Sequence, residues 1–222
     1  MNQPRMNIYG FPHKGLRLAL SKLALLSGST DYTDSDCLST LKGLTSEIVD
    51  LLHLHVHSEE SVVLPALEEK VSGSTATNLE EHKVLENEIS EFVKKLESIT
   101  VGSSPVSGAK FYESIFKFYS NYINHMAMEE KDVNCLIWEN FTDEEIMSWH
   151  EKIMSTLTPN QISTWIKYIV PALNPFERTI ILSGFKANAP LEFFDSIIGM
   201  LKEYMTEMEH SQMVKNLAQQ MS

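Results

Sequence analysis

Apolar residues recur at spacings of three and four along nearly the whole chain, and this spacing constrains the fold more than any other feature of the sequence. Such spacings place side chains on one face of an α-helix, whereas a half-buried strand would alternate apolar and polar residues. Sustained alternation of that kind is missing from the sequence. The periodicity therefore predicts an all-α protein.

Turn and capping signals divide the first 140 residues into four long helices. The predicted bounds are 12–27, 35–71, 77–99 and 108–138. Pro12 and Gly28 mark the start and the stop of the first helix, and a Thr77-x-x-Glu80 capping box starts the third. Four helices of this length joined by short loops favour an up-down-up-down four-helix bundle.

Residues 141–222 are predicted to form a C-terminal helical extension of the bundle, which itself occupies residues 1–140. Three cap residues in the extension are each followed three positions later by Glu or Gln, as in a capping box. These pairs are Thr142/Glu145, Thr158/Gln161 and Asn174/Glu177. Pro171 is expected to kink or end its helix, and Ala189-Pro190 opens a last segment. The extension is a candidate surface for a protein partner or for homo-oligomer formation.

Charge and composition exclude several classes of partner. The chain of 222 residues has a formal net charge of −12. Binding to nucleic acid or to an anionic membrane needs clustered Lys and Arg. The N-terminus lacks the apolar run of a signal peptide, and Arg17 and Lys22 interrupt the most apolar stretch, 16–26. We therefore expect a cytoplasmic protein with no nucleic-acid and no membrane partner.

No motif for nucleophilic catalysis is found in the sequence. Cys37 and Cys135 are far apart and form no CxxC, which excludes zinc-finger and thioredoxin sites. A GxSxG sequence and a phosphate-binding glycine loop are also missing. We therefore assign no catalytic residue from the sequence.

Three of the eight histidines are followed four residues later by Glu, each on a different predicted helix. The pairs are His55/Glu59, His82/Glu86 and His125/Glu129. Residues four apart lie on the same face of a helix, so each pair can offer an imidazole and a carboxylate to one metal ion. For any single pair, the alternative is a salt-bridged histidine on a helix surface.

The apolar neighbours of these pairs predict that they face the bundle core. On the second helix, His55 and Glu59 continue an apolar row, whereas His53 and His57 lie about 160–200 degrees away and should face outward. The third and fourth helices repeat this arrangement, and the first helix adds His13 ahead of its apolar row. Several carboxylates buried in one core require a cation or protonation, because an uncompensated buried charge is costly.

The depth of the histidines along the bundle is a second test. Counted from the helix ends, His13 lies level with His55, and His82 lies level with His125. His55 and His82 are offset by about 16 Å at a rise of about 1.5 Å per residue. An extended loop of about six residues reaches about 20 Å, so the chain can close this offset.

The candidate ligands also indicate the kind of metal. Imidazole and carboxylate without a thiolate suit iron or manganese better than structural zinc. Four histidines and two or three glutamates are too many ligands for one ion and imply two. The ferritin-like alternative uses paired Glu-x-x-His motifs, and only Glu207/His210 matches that pattern.

Four short motifs around the histidines carry a family resemblance over about residues 8–140. They are Phe11-Pro12-His13, His55-x-x-x-Glu59-Glu60, Glu81-His82 and His125-x-x-x-Glu129-Glu130. With these motifs the chain resembles the haemerythrin-like, or HHE cation-binding, proteins. The resemblance implies a haemerythrin-like four-helix bundle that holds two non-haem iron ions joined by an oxo or hydroxo bridge.

The resemblance also implies a ligand set. The matching positions are His13, His55, Glu59, His82, His125 and Glu129, with Glu86 as a seventh ligand. Glu60 and His57 are alternatives to Glu86 for completing the site. Oxygen-carrying members have a histidine where this chain has Glu86, and an aspartate where it has Glu130. The extra anion would favour the ferric state and argues against simple reversible oxygen carriage.

Three functions are compatible with these observations. The leading hypothesis is a di-iron protein that binds oxygen, nitric oxide or a related diatomic, or that senses iron or oxygen. The second is a di-iron oxidoreductase, such as an oxidase, a peroxidase or a nitric-oxide-reducing or iron-handling protein, in which Tyr119 or Tyr122 assists. The third is a helical interaction module whose metal only stabilises the fold. The sequence does not decide whether the protein is an enzyme.

Overall fold

The computed structural model describes residues 5–219, which form helices joined by short loops without a strand among them. The bundle part contains α1 (Gly10–Ser29), α2 (Ser35–Ser58), α3 (Leu64–Lys70), α4 (Ala76–Ser98), α5 (Pro105–Met128) and α6 (Asn134–Asn140). The remainder contains α7 (Asp143–Thr156), α8 (Pro159–Ala172), α9 (Pro175–Asn188), α10 (Leu191–Met200) and α11 (Glu207–Gln219). The predicted all-α fold is confirmed.

The four long helices α1, α2, α4 and α5 form the predicted bundle. Helix α1 packs against α2 and α5, and α4 packs against the same two helices. Their inward residues build one core in which Leu16, Ile48, Phe92 and Phe118 are at most 1% exposed. Burial of these apolar faces against one another supplies the main stabilisation of such a bundle.

Two of the long helices are interrupted at equivalent places. Five-residue π segments, Glu59–Val63 and Glu129–Val133, join α2 to α3 and α5 to α6. Each begins at the glutamate of a His-x-x-x-Glu pair. Pro65 follows the first segment, but Cys135 stands at the same place after the second, so proline is not their common cause. Single π turns inside α-helices are frequently found at functional sites.

The capping boxes predicted in the extension are confirmed. Thr142, Thr158 and Asn174 each accept a hydrogen bond from the backbone N–H three residues later, and the Glu or Gln side chain there bonds back. Pro171 also behaves as expected, because α8 ends at the next residue.

Two predicted boundary signals in the bundle are wrong, and α5 begins at Pro105 instead of at 108. The box at Thr77 is wrong, because α4 already begins at Ala76, and the carboxylate of Glu68 binds the N–H groups of Gly73 and Thr75 in the preceding turn. Gly28 does not stop α1 but lies inside it. A Cβ at Gly28 would meet the Tyr112 ring at 2.8 Å, so glycine serves close packing there.

The extension packs onto the bundle through α8. This helix lies along α1, and its Trp165 and Tyr168 join the bundle core. Gly15 allows the close approach, since a Cβ there would lie 2.8 Å from Cγ1 of Ile169. Helices α8 to α11 also enclose an apolar cluster of their own. The domain division after residue 140 stays a prediction.

Within residues 5–219, no helix has the length and hydropathy needed to cross a membrane.

Candidate metal centre

Six side chains from the four long helices and from the first residues of the two π segments meet inside the bundle. They are His13, His55, Glu59, His82, His125 and Glu129, each at most 5% exposed. They form two overlapping groups whose potential ligand atoms all lie within 4.8 Å of one another. One group contains His13 and His55, and the other contains His82 and His125. Glu59 and Glu129 belong to both groups.

The first group has the spacing of ligands around one ion. The Nε2 atoms of His13 and His55 are 3.2 Å apart. Nε2 of His13 lies 3.4 Å from Oε2 of Glu129, and Nε2 of His55 lies 3.5 Å from Oε1 of Glu59. With metal–ligand bonds of about 2.0–2.2 Å, neighbouring ligands at right angles are about 3 Å apart.

The second group has the same geometry. Nε2 of His82 lies 3.3 Å from Oε2 of Glu59, and Nε2 of His125 lies 3.1 Å from Oε1 of Glu129. Each carboxylate therefore turns one oxygen toward one group and its second oxygen toward the other.

An outer carboxylate holds three of the four imidazoles through Nδ1. The pairs are His13 with Glu130 at 2.9 Å, His82 with Glu60 at 3.0 Å and His125 with Glu81 at 2.8 Å. An ionised carboxylate can only accept, so Nδ1 carries the proton in each pair. In the neutral ring, Nε2 then presents a lone pair to the centre, as a metal ligand must.

His55 is held differently. Within residues 5–219, its Nδ1 has no hydrogen-bond partner, and the indole of Trp165 lies edge-on with its ring centroid 6.4 Å away. Trp165 belongs to α8, so the extension covers this side of the centre.

Glu130 is itself held from two sides. Arg17 donates from Nη1 and Nη2 to its two oxygens at 2.6 and 3.0 Å. Burial raises the pKa of the Glu130 carboxyl, but His13 and Arg17 outweigh burial and lower that pKa to about 2. The carboxylate therefore stays ionised and keeps His13 oriented over the whole physiological pH range.

The inner charges are strongly coupled. Burial and the neighbouring Glu129 raise the pKa of Glu59 to about 7. Burial lowers the pKa of His82, but the carboxylates of Glu129 and Glu59 outweigh burial and raise it to about 10. With no cation present, protons on these groups compensate the buried negative charge, so protons and cations compete for the centre.

Several polar atoms in the centre lack a hydrogen bond. Both carboxylate oxygens of Glu59, Oε2 of Glu129 and the Nε2 atoms of His82 and His125 are buried without a partner. Buried polar atoms are nearly always paired, so a cluster of unpaired ones requires an explanation. All of these atoms can donate a lone pair to a cation, and imidazole with carboxylate suits iron or manganese. The residues therefore fit the metal pair that the motifs imply.

The structure does not bring Glu86 to the centre. Its side chain is exposed, whereas Leu85 and Ile89 on the same helix are 4% and 5% exposed. His53 and His57 are exposed on α2, as the helix-face argument predicts. Glu60 lies near the centre, but as the outer partner of His82.

Asn78 is a further residue of the site that the His/Glu spacing does not reveal. Its side chain is 5% exposed, and its Nδ2 donates to Oε1 of Glu129 at 3.0 Å. The signal in the sequence is weak: Asn78 lies four residues before His82, on the same face of α4. Its role is to orient a carboxylate that faces both groups.

Comparison with known proteins agrees with this site. A family model described as the hemerythrin HHE cation binding domain matches residues 11–137, more than half of the chain. The chain is also 23% identical over 188 residues to a zinc finger protein described as BRUTUS-like from Arabidopsis thaliana. The match covers 83% of this chain but only 15% of that relative. No solved structure matches the chain.

Proposed function

The chain belongs to the haemerythrin HHE cation-binding family, and from this membership and the buried centre we propose that it is a non-haem di-iron protein whose centre binds oxygen or a related diatomic. His13 and His55 would hold one ion and His82 and His125 the other, with Glu59 and Glu129 available as ligands to both.

The orientation of the shared carboxylates carries this proposal. Glu59 turns Oε1 toward His55 and Oε2 toward His82, at 3.5 and 3.3 Å. Glu129 turns Oε2 toward His13 and Oε1 toward His125, at 3.4 and 3.1 Å. Two carboxylates that each face two histidine groups are the arrangement expected for ligands bridging a pair of ions, and a single ion would leave half of these atoms unused.

The protein prepares the site before any ion binds. Glu130, Glu60 and Glu81 fix the ring orientation of three histidines and keep each Nε2 free of a proton when the ring is neutral. The six side chains are at most 5% exposed, which limits the access of bulk water to the centre. When bound, a pair of iron ions supplies electrons to, or shares them with, a small diatomic such as oxygen or nitric oxide.

Metal analysis of purified protein tests the proposal. Protein made in iron-replete cells should contain about two iron ions per chain, because the six side chains form two groups, each with ligand atoms within 4.8 Å of one another. A content of one ion or fewer, or zinc as the dominant metal, would contradict it.

Oxygen reactivity separates a working centre from a metal that only stabilises the fold. The reduced, anaerobic protein should change its visible spectrum when oxygen or nitric oxide is added. A loaded protein whose spectrum responds to neither gas would show that the ions are structural.

A further inference from the structure

Tyr122 is a buried phenol next to the metal centre, and the proposed function gives it no role. It lies three residues before His125 on α5, is fully buried, and packs between Phe118 and His125 with ring centroids 5.4 and 5.9 Å away. Its hydroxyl has no hydrogen-bond partner. A buried hydroxyl is nearly always hydrogen-bonded, so the unpaired hydroxyl of Tyr122 points to a partner that binds from outside the chain.

The hydroxyl is close enough to the centre to sense its charges. Burial raises the pKa of Tyr122 well above its usual value, and the carboxylates of Glu59 and Glu129 raise it further. A phenol O–H can donate a hydrogen bond to any acceptor that comes within reach. The oxygens of Glu59 are themselves unpaired, yet Tyr122 does not bond to them.

The equivalent position on the partner helix is apolar. Helices α2 and α5 are equivalent in the bundle, since each carries the histidine of a His-x-x-x-Glu pair whose glutamate begins a π segment. Three residues before His55 lies Leu52, which is also fully buried in the core. Leucine cannot donate a hydrogen bond, so α5 carries a donor at a position where α2 carries none.

Tyr9 is a second buried phenol whose hydroxyl has no hydrogen-bond partner within residues 5–219, and its ring centroid lies 5.0 Å from that of His13. It lies four residues before His13 on the chain, as Asn78 lies four residues before His82, and Asn78 bonds a shared carboxylate. Tyr9 also belongs to the apolar cluster of α3, α6 and α7, whereas Tyr122 belongs to the bundle core.

We propose that the hydroxyl of Tyr122 donates a hydrogen bond to the small exogenous ligand of the ion held by His82 and His125, and so selects ligands that carry an acceptor atom. The inference rests on the proposed di-iron function. The chemical class is a small anion or a diatomic with a nitrogen or oxygen acceptor.

Azide is a suitable probe, because its complex with ferric iron absorbs in the visible range and its terminal nitrogen accepts hydrogen bonds. Tyr122→Phe should keep about the same iron content and bind azide roughly three- to tenfold more weakly, the effect expected for one hydrogen bond. Tyr119→Phe is the matched control. Its hydroxyl lies half-buried on the same helix, 3.2 Å from the Ser21 hydroxyl, and azide affinity should not change.

The outcomes separate the inference from the proposed function. Unchanged azide affinity in Tyr122→Phe would overturn the inference. The proposed function would still stand if the wild-type protein contained two iron ions per chain. Loss of iron from Tyr122→Phe would also overturn the inference, since the hydroxyl would then serve the metal ligands. A second measurement can be made on the wild-type protein alone: the stretching frequency of bound azide should shift when H2O is replaced by D2O. If Tyr122→Phe folds, the shift in that variant should be smaller. No shift in the wild-type protein would overturn the inference.

Discussion

The imidazole of His13 and the carboxylate of Glu130 are joined by a hydrogen bond of 2.9 Å from Nδ1 to Oε1. Arg17 binds the same carboxylate, so the ring orientation of a metal ligand depends on a chain of two contacts that ends at the helix surface. Groups of this kind tune a metal site without touching the ion.

Removing the outer carboxylate should therefore weaken metal binding without unfolding the bundle. Glu130→Ala is expected to lower iron affinity by about 10- to 100-fold, measured by competition with a chelator. Glu86→Ala is the matched control, because Glu86 is an exposed glutamate on another bundle helix. Equal affinities of the two variants would show that Glu130 does not act on the centre.

Substitutions on the two faces of α2 should have opposite consequences. His55→Ala removes a buried ligand, leaves carboxylates uncompensated, and should lose iron together with about 3–5 kcal/mol of stability. His53→Ala changes an exposed side chain two residues away and should alter neither. Iron content and the thermal midpoint of unfolding, measured on both variants, decide the matter. Iron loss from His53→Ala would argue against the ligand assignment.

The helix faces explain why the sequence predicts six of the site residues and misplaces Glu86. At about 100 degrees per residue, a residue four positions after a histidine is rotated by about 40 degrees. On α2 the buried residues Ile48 and Leu52 lie on that same side of His55, so Glu59 turns inward. On α4 the buried residues Leu85 and Ile89 lie on the opposite side of His82, so Glu86 turns out to solvent.

This placement also removes the basis of one chemical expectation. The argument that an extra anionic ligand favours the ferric state depends on Glu86 as a ligand, and the exposed side chain does not support it. The preference between reversible oxygen binding and oxidation must then follow from the six buried side chains and the groups around them.

Features that depend on contacts between distant segments could not be predicted from spacing. His55 and His82 lie level in the structure, with Nε2 atoms 3.5 and 3.3 Å from the two oxygens of Glu59, although counting along the helices left them offset. The capping boxes of the extension could be predicted from the sequence, because a cap residue and its partner are only three positions apart.

Close packing between α1 and α8 gives a prediction about the extension. Gly15→Ala would place a Cβ 2.8 Å from Cγ1 and 3.2 Å from the backbone of Ile169, so it should destabilise the protein by about 1–3 kcal/mol. Gly43→Ala is the matched control in α2, where a Cβ meets nothing within 4 Å, and it should stabilise by about 0.5–1 kcal/mol. Urea unfolding measures both. If the two variants were equally stable, α8 would not be held against α1 as closely as the distances indicate.

Acid should loosen the extension through Glu209, which lies in a capping box at the start of α11. Its carboxylate accepts bonds from the hydroxyl of Thr206 at 2.8 Å, from the N–H of Thr206 at 3.1 Å and from Nη2 of Arg178 at 3.1 Å. These contacts, led by the Thr206 hydroxyl, lower the pKa of Glu209 in the folded protein. Because the folded pKa is below the unfolded value of about 4.3, the stabilisation is complete above that value and is lost as the pH falls through the folded pKa.

The variant Glu209→Gln tests this dependence. At pH 7 its thermal midpoint should lie roughly 1–3 °C below that of the wild-type protein, a small effect because the pair with Arg178 is partly screened by solvent. The difference should shrink as the pH falls through the folded pKa of Glu209, because the protonated wild-type carboxyl resembles the amide. Glu203→Gln, at an exposed glutamate before the same helix, should show no such convergence. A difference between Glu209→Gln and the wild-type protein that stays constant from pH 7 down to the pH of acid unfolding would mean that the carboxylate charge contributes nothing and that the capping geometry alone holds α11.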